Sequence, residues 1–255
     1  MQRSIVSQII NPINDVDAII SKANGFKSFG FRIVERDEDI ALAESILMAA
    51  HNSRDSLIID FPPAQKKFSS ESIVFILEEN HKPVGTFSLI FDSSSGLPAD
   101  ITFSDEMNLH RESSVSISEI CSLGVMHSCI LKRDMMLYII YIATLQNFYL
   151  NISDCVITVK NTHNQFYNDL CFKNLSIQKI SQRTQKKVHL LSINNKDASS
   201  ALGVSLNTFR VKKLDGPNSY WRHINKNIDQ QFVDKTIAIL KDKTILIEIE
   251  VGAFN

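Results

Sequence analysis

Apolar residues recur along the chain in patterns that predict strands. Residues 31–35 alternate apolar and polar side chains, as a half-buried strand does. The β-branched and aromatic runs at 72–78 and 84–91 are separated by a short polar segment that ends in a proline, and they predict a hairpin. Residues 115–126 predict a long and mostly apolar strand.

Helical periodicity is clearest in two segments. Residues 37–50 place an apolar residue at every third or fourth position, which predicts an amphipathic helix. Residues 132–150 are apolar almost all round, which is typical of a buried helix. Weaker patterns predict helices at 14–23, 103–111, 163–170 and 227–241, strands at 154–159, 175–180, 187–193 and 244–251, and loops at 52–71 and 92–100.

The order of these elements predicts a mixed α/β (α+β) fold, in which helices flank a central sheet. We expect three segments: an N-terminal arm with a short helix over residues 1–30, a main domain over residues 31–193, and a C-terminal extension over residues 194–255. The extension would hold one helix and one strand, and would act as a lid or as a small subdomain.

The composition is that of a globular protein. Hydrophobic residues make up 44% of the 255 residues and charged residues 22%, which excludes a chain that is disordered throughout. No apolar run approaches the roughly 20 residues that span a bilayer. The first segment meets Asn11 and Pro12 too early for the apolar core of a secretory signal. We therefore expect a cytoplasmic location without stable membrane insertion.

The four cysteines show neither a CxxC spacing nor the Cys/His spacing of a metal site. In a cytoplasmic chain they are expected to be reduced thiols. We therefore expect no metal and no permanently bound cofactor.

Charge is distributed unevenly, although the formal net charge is only −1. Residues 1–172 carry 13 Lys/Arg and 21 Asp/Glu, whereas residues 173–255 carry 14 Lys/Arg and 7 Asp/Glu. A basic third of the chain favours an acidic partner, with an ordinary solvated surface as the alternative. Nucleic acid is disfavoured, because no recognised motif is present and aromatic residues are sparse there. The basic clusters are Arg183, Lys186, Lys187 and Arg210, Lys212, Lys213.

Glu119 is the one charged residue within 115–125, and it is the main candidate for chemistry. If this strand is central, the carboxyl group is either desolvated or faces a cleft. Burial would raise its pKa toward neutrality, which suits a general base. The alternative is that the odd-numbered positions face solvent and that Glu119 is a surface residue.

A second candidate lies at the start of the predicted buried helix. The first N–H groups of a helix and a nearby positive charge favour phosphate binding. Lys132 and Arg133 stand at that position. The sequence therefore allows a phosphate site there, without the glycines of a tight phosphate loop.

A third candidate follows the strand at 154–159. His163 would act as a base or position a ligand, and Tyr167 would give a proton to a leaving group. The alternative for Tyr167 is that it covers a core formed by Phe166 and Phe172.

Several motifs occur in a characteristic order. The most specific is the loop Asp92-Ser…Gly96-Leu-Pro-Ala-Asp100. The others are Gly85-Thr-Phe-Ser-Leu-Ile90, Phe103…Glu106…Leu109…Arg111, Ser118-Glu-Ile-Cys-Ser-Leu-Gly-Val125, His163…Phe166-Tyr167 and Lys187-Val…Leu190-Leu191. Over residues 31–193 this order resembles the Gcn5-related N-acyltransferase (GNAT) fold. It is most similar to the N-acyl amino acid synthase branch, which is related to the acyl-homoserine lactone synthases.

The resemblance implies a GNAT-like fold of the acyl-CoA N-acyltransferase type, with a mixed, mostly antiparallel sheet. It implies transfer of a long-chain fatty acyl group from acyl carrier protein, or from acyl-CoA, to the α-amine of an amino acid. The Gly-rich pyrophosphate loop of acetyl-CoA enzymes is absent at 126–134, which favours an acyl-phosphopantetheine co-substrate. An acidic acyl carrier protein would dock on Arg183, Lys186 and Lys187.

The resemblance also implies roles for individual residues. Glu119 would take a proton from the substrate amine, directly or through a water. Backbone N–H groups at the end of its strand would bind the pantetheine arm and polarise the thioester carbonyl. Tyr167 or His163 would assist departure of the thiol. The donor site would comprise Leu123, Gly124, Val125, Lys132, Arg133 and Phe166.

Two departures from the family pattern leave other functions open. Ser122 stands where the lactone synthases and their relatives often carry an arginine, and Cys171 replaces a glycine. These replacements would suit a non-catalytic module that binds an acyl ligand or an acyl carrier protein. A lactone-synthase-like enzyme and a small-molecule N-acetyltransferase on the same fold are further alternatives.

Overall fold

The computed structural model describes residues 29–51, 72–129, 132–202, 204–205 and 210–211. The helix predicted at 14–23, the loop at 52–71, the helix at 227–241 and the strand at 244–251 lie outside the described residues. The same holds for most of the predicted N-terminal arm and for most of the C-terminal extension.

The described part of the chain contains ten strands and five α-helices. Strands β1 to β10 are Phe29–Ile33, Ser72–Glu79, Lys82–Phe91, Ile117–Val125, Asp154–Lys160, Lys173–Asn174, Lys179–Ile180, Lys187–Asn194, Val204–Ser205 and Arg210–Val211. Helices α1 to α5 are Asp37–His51, Asp100–Ser113, Lys132–Tyr149, Asn164–Asp169 and Asn195–Leu202. A turn of 3-10 helix, Asn161–His163, precedes α4.

Strands β1 to β8 form one sheet in the order β1-β2-β3-β4-β5-β8-β6, with β7 also paired to β8. All of these pairs are antiparallel except β4 with β5, which is parallel. A parallel pair needs a long crossover connection, and helix α3 provides it. The mixed, mostly antiparallel sheet flanked by helices is therefore confirmed.

Helices cover both faces of the sheet. Ile120 of β4 and Ile157 of β5 belong to the same buried cluster as α3. Ile117 and Val156, which point the other way, belong to the cluster that contains residues of α2. Successive side chains of a strand alternate between its two faces. We call these two sides the α3 face and the α2 face.

Helix α1 shares the α2 face and confirms the predicted amphipathic helix. Its residues Ala43 and Ile46 are buried against Val74 and Ile76 of β2. The helix also approaches the end of β4 closely, since a Cβ added to Gly124 would lie 2.8 Å from Leu47 Cδ1 and 3.2 Å from the backbone atom Leu47 Cα. A glycine is therefore needed here to admit the helix.

Helix α3 is buried, as its sequence predicts. Met135, Ile139 and Tyr141 have no exposed surface. Tyr138 stacks on Phe29 of β1 with ring centroids 5.7 Å apart. Core packing thus accounts for the side chains of α3 that face the sheet. None of the described helices combines the length and apolar composition needed to cross a bilayer.

The single strand predicted at 175–180 is wrong. Only Lys179–Ile180 of this segment forms a strand, β7, and a second short strand, β6, lies just before the segment at Lys173–Asn174; both pair with β8. Between β6 and β7, the Oγ of Ser176 accepts a hydrogen bond of 2.9 Å from the N–H of Leu190, in place of a backbone carbonyl. The strand predicted at 115–126 is also shorter, since Val115 is 98% exposed and β4 begins at Ile117.

We expect Gly124→Ala to lower the free energy of unfolding by about 1–3 kcal/mol, because the added methyl group would overlap Leu47. Gly30→Ala in β1 is the matched control, since its new Cβ would meet its nearest non-neighbouring atom at 3.8 Å. Urea unfolding of both variants measures the difference. Equal stabilities would contradict the close packing of α1 on β4.

Candidate active site

Glu119 lies at the centre of the candidate site, on the α2 face of β4. Its side chain is 2% exposed and stands in a row between Ile90 of β3 and Val156 of β5. The backbone N–H of Ala99 donates a hydrogen bond of 2.8 Å to Glu119 Oε2. The alternative of a solvent-facing Glu119 is therefore wrong, because α2 and the loop before it cover this face.

Burial raises the pKa of Glu119 to about 8. The Ala99 hydrogen bond and the positive charge of Arg183 oppose this rise, whereas the carboxylates of Asp100 and Asp92 reinforce it. The carboxyl group can therefore exchange a proton near neutral pH. This is what a general base acting on an amine requires.

Arg111 of α2 binds both ends of the loop at 92–100, which contains Ala99. Its Nε and Nη2 donate to the two carboxylate oxygens of Asp92 at 2.6 and 2.9 Å. Its Nη1 and Nη2 donate to those of Asp100 at 2.8 and 2.7 Å. Paired hydrogen bonds of this kind are strong and fix orientation. Because Asp92 and Asp100 are the two ends of the loop, Arg111 holds the Ala99 amide against Glu119.

The Gly-Leu-Pro-Ala-Asp motif is explained by the same loop. Gly96 has a left-handed φ of 70°, and a Cβ there would lie 2.8 Å from Asp100 Oδ2. That oxygen also accepts the N–H of Leu97 at 2.7 Å. Gly96 and Asp100 therefore set the conformation in which the loop reaches Glu119.

Strands β4 and β5 separate directly after Glu119. Their last pair is Ile120 with Ile157, although β4 continues to Val125 and β5 to Lys160. The predicted donor residues Leu123, Gly124 and Val125 follow the point of separation on β4. Past Ile120, β4 therefore has no partner strand on its β5 side among the described pairs.

A bulge and a histidine shape this end of β4. Ser88 pairs with Cys121 and Thr86 with Gly124, so β4 has one residue more than β3. Ser122 lies within the bulge and has a left-handed φ of 51°. His51, at the end of α1, places Nε2 at 2.9 Å from the carbonyl oxygen of Leu123.

The predicted residues of α4 pack on the α3 face instead. Tyr167 is 2% exposed, with Phe166 and Phe172 at ring distances of 5.2 and 5.5 Å. Burial raises its pKa above the ordinary value for tyrosine. His163 precedes α4 and is exposed. These residues follow the carboxyl end of β5, whereas the Glu119 carboxyl group lies on the opposite face of the sheet.

Cys171, which replaces the glycine of the family pattern, keeps a glycine-like backbone. Its φ is 68°, in the left-handed region that glycine adopts most easily. The turn is still hydrogen-bonded, because Phe172 N–H donates to the Tyr167 carbonyl at 3.1 Å. The replacement therefore leaves the end of α4 intact.

The basic residues fall into two groups. Lys132 and Arg133 form the first turn of α3, and their side chains lie outside the described part of the structure. Arg183 and Lys186 lie in the turn between β7 and β8, and Lys187 begins β8. The turn of Arg183 lies near the candidate site, because the N–H of the neighbouring Gln182 donates to Thr102 Oγ1 of α2 at 3.4 Å.

No role was predicted from the sequence for Arg111, His51 or Thr158. The ion pairs of Arg111 could have been predicted from the spacing Asp92…Asp100…Arg111, because one arginine close to two acids is typical of an ion-pair network. His51 and Thr158 gave no such signal, since their positions depend on the packing of α1 and β5 against β4.

The chain is similar to known proteins in both sequence and fold. The family model for the N-acyl amino acid synthase FeeM matches residues 50–194. The structure of FeeM from uncultured soil microbes matches with a TM-score of 0.60 and 19% identity, over 68% of this chain and 93% of that chain. This likeness confirms the fold that the resemblance implied. No sequence among curated proteins matches the chain.

Two more distant structures are also similar. The acyl-homoserine lactone synthase LasI matches with a TM-score of 0.48 and 13% identity, over 66% of this chain and 90% of that chain. A mutant of the spermidine N-acetyltransferase SpeG from Vibrio cholerae matches with a TM-score of 0.45 and 14% identity, over 68% and 96%.

We expect Arg111→Met to lower the free energy of unfolding by about 2 kcal/mol, because Asp92 and Asp100 lose charge-assisted hydrogen bonds. Hydrogen exchange at the Ala99 amide should accelerate as the loop opens. Lys173→Met is the control, since it removes an exposed ion pair with Asp197 and should change stability little. Unchanged exchange at Ala99 would contradict the role of Arg111.

We expect Glu119→Gln to become more stable relative to the wild type as the pH rises from 5 to 8. The carboxyl group ionises near 4.5 in the unfolded chain and near 8 in the folded one, so the unfolded state binds fewer protons in this window. Each unit of raised pKa corresponds to about 1.4 kcal/mol. Urea unfolding at several pH values measures the difference, and a pH-independent difference would contradict the raised pKa.

Proposed function

Because the chain belongs to the N-acyl amino acid synthase FeeM family of N-acyltransferases, we propose that it makes an N-acyl amino acid. In this proposal a long-chain fatty acyl group moves from a phosphopantetheine thioester to the α-amine of an amino acid. The observation that carries the proposal is Glu119, a buried carboxyl group with a pKa of about 8 beside the gap between β4 and β5. A binding module would not need such a group.

The reaction begins with the amine, which is mostly protonated at neutral pH and is then not a nucleophile. Glu119 takes one proton from it, directly or through a water. The amine nitrogen attacks the thioester carbonyl and forms the C–N bond. The C–S bond then breaks, the nitrogen gives up its second surplus proton, the pantetheine sulfur receives a proton, and the N-acyl amino acid leaves.

The separation of β4 from β5 supports a division of the two substrates between the faces of the sheet. The acceptor reaches Glu119 on the α2 face, between α1 and the loop that ends at Asp100. The pantetheine arm enters the gap from the α3 face along Leu123, Gly124 and Val125, whose backbone N–H groups polarise the carbonyl. Holding both substrates at one opening supplies much of the rate enhancement by proximity.

Departure of the thiol involves the residues after β5. Tyr167 is the first candidate for this step, because a tyrosine hydroxyl group is protonated at neutral pH and can donate a proton. His163 is exposed at the start of the same segment and is the second candidate for this step. Phe166 lies beside Tyr167 and contributes an apolar wall to the donor side.

Acyl carrier protein is the donor that the charge distribution favours. Lys186 and Lys187 lie near the carboxyl end of β5, since Val188 pairs with Lys160. Lys132 and Arg133 begin the helix that follows the carboxyl end of β4. Parallel strands bring their carboxyl ends to one edge of a sheet, so this edge is basic. Arg183 belongs to the same turn, and a basic edge attracts an acidic partner.

We expect Glu119→Gln to abolish acyl transfer, because glutamine cannot accept the amine proton. Organic extracts of cells that express either protein are compared by mass spectrometry. Long-chain N-acyl amino acids should appear with the wild type alone, and their masses identify the acyl chain and the acceptor. Equal amounts of product from both proteins would remove Glu119 from the mechanism.

We expect the double variant Lys186→Glu/Lys187→Glu to weaken binding of acyl carrier protein at least about tenfold and to reduce the salt dependence of binding. Lys82→Glu is the matched control, because this exposed lysine lies in the β2–β3 hairpin. Titration calorimetry at two salt concentrations gives the dissociation constants. Equal constants for the two variants would mean that Lys186 and Lys187 are ordinary surface residues.

A further inference from the structure

The turn that carries Arg183 is connected to the candidate site by a chain of hydrogen bonds. The Ala99 N–H donates to Glu119, and the Ala99 carbonyl accepts the N–H of Thr102 at 3.1 Å. The hydroxyl of Thr102 in turn accepts the N–H of Gln182 at 3.4 Å. The residue next to Gln182 is Arg183. The turn between β7 and β8 is thereby tied to the same loop that binds Glu119.

Two other contacts fix this turn on α2. Lys179 Nζ lies 2.7 Å from Glu106 Oε2 and 5.5 Å from the centre of the Phe103 ring. Within the turn, Ser181 N–H donates to the Lys186 carbonyl at 2.8 Å, and Gln185 N–H donates to the Ser181 carbonyl at 2.8 Å. The backbone of the turn that carries Arg183 is therefore fixed on α2.

Thr158 of β5 adds a polar group on the same side. Val156 belongs to the cluster on the α2 face, so Thr158, two residues later, faces the same way. It lies one residue past the last pair of β4 with β5. Its Oγ1 is buried and has no hydrogen-bond partner among the described residues. A buried hydroxyl group without a partner is unfavourable, and a bound ligand would satisfy it.

The acceptor in the proposed function carries its amine and its carboxylate on the same carbon. A base that takes the amine proton and a cation that binds the carboxylate must therefore be close neighbours. Glu119 lies on the α2 face, and the turn that carries Arg183 is hydrogen-bonded to α2 on the same side of the sheet. The family pattern often has an arginine three residues after the glutamate, where this chain has Ser122. Arg183 brings a positive charge to the site from a different element.

We propose that Arg183 and the hydroxyl group of Thr158 form the subsite that binds the α-carboxylate of the acceptor amino acid beside Glu119. This inference rests on the proposed function and adds the residues that select an amino acid over a simple amine. The guanidinium gives two N–H donors to the carboxylate, and the threonine gives one O–H donor.

The test compares the twenty common amino acids with their carboxamides as acceptors, with palmitoyl-acyl carrier protein as the donor. Arg183→Gln should lower kcat/KM for the best amino acid by about 10-fold to 100-fold, mainly through KM, and change kcat/KM for its carboxamide by less than about threefold. Arg183→Lys should recover part of the loss, because it keeps the charge. Thr158→Val should show a smaller loss with the same preference.

Two results would overturn the proposal. An equal loss with amino acid and carboxamide would mean that Arg183 does not contact the carboxylate. A raised KM for the acyl carrier protein, with an unchanged KM for the amino acid, would assign Arg183 to the donor phosphate or to docking instead.

A binding measurement separates this proposal from the proposed function. Equilibrium dialysis of the same amino acids and carboxamides needs no turnover. The wild type could form no product and still bind an amino acid more tightly than its carboxamide. If Arg183→Gln then loses that preference, the carboxylate subsite is supported and the proposed acyl transfer is rejected. If transfer occurs without any such preference, the transfer stands and the subsite is rejected.

Discussion

The parallel pairing of β4 with β5 is the constraint on which the rest of the structure depends. It is the one parallel pair in the main sheet of the described residues, and α3 makes the crossover. A parallel pair brings both carboxyl ends to one edge, so the bulge of β4 and the start of α4 meet there. Because the pairing stops at Ile120 and Ile157, the two strands separate one residue past Glu119.

The surroundings of Glu119 combine apolar burial with a rigid polar support. Ile90 and Val156 flank it across the sheet and remove water, which disfavours the charged carboxylate. The Ala99 amide offers one hydrogen bond, and Arg111 keeps that amide in place. A buried carboxyl group reduces stability at neutral pH, which is a common feature of active sites. The hydrogen bonds of Arg111 with Asp92 and Asp100 stabilise the loop and so oppose this loss of stability.

The two faces of the sheet divide the polar chemistry between them. On the α2 face lie Glu119, Thr158 and the turn that carries Arg183. On the α3 face, Tyr167 packs among aromatic residues beside the crossover helix. Each face has its own helices and its own core cluster, so substitutions on one face need not disturb the other.

The sequence by itself determined the local elements of the fold. The β2–β3 hairpin, the amphipathic α1 and the buried α3 follow from periodicity and turn residues within short segments, and Glu119 stood out as one charge in an apolar strand. Only the tertiary structure decided which face Glu119 occupies, because that depends on the partners of β4 on both sides. The Arg111 contacts with Asp92 and Asp100 join residues 19 and 11 positions apart. Arg183 lies farther still along the chain, and its place follows from the docking of the β7–β8 turn on α2. Local patterns record propensity and burial, whereas the site is built from long-range contacts that form only when the sheet and its helices assemble.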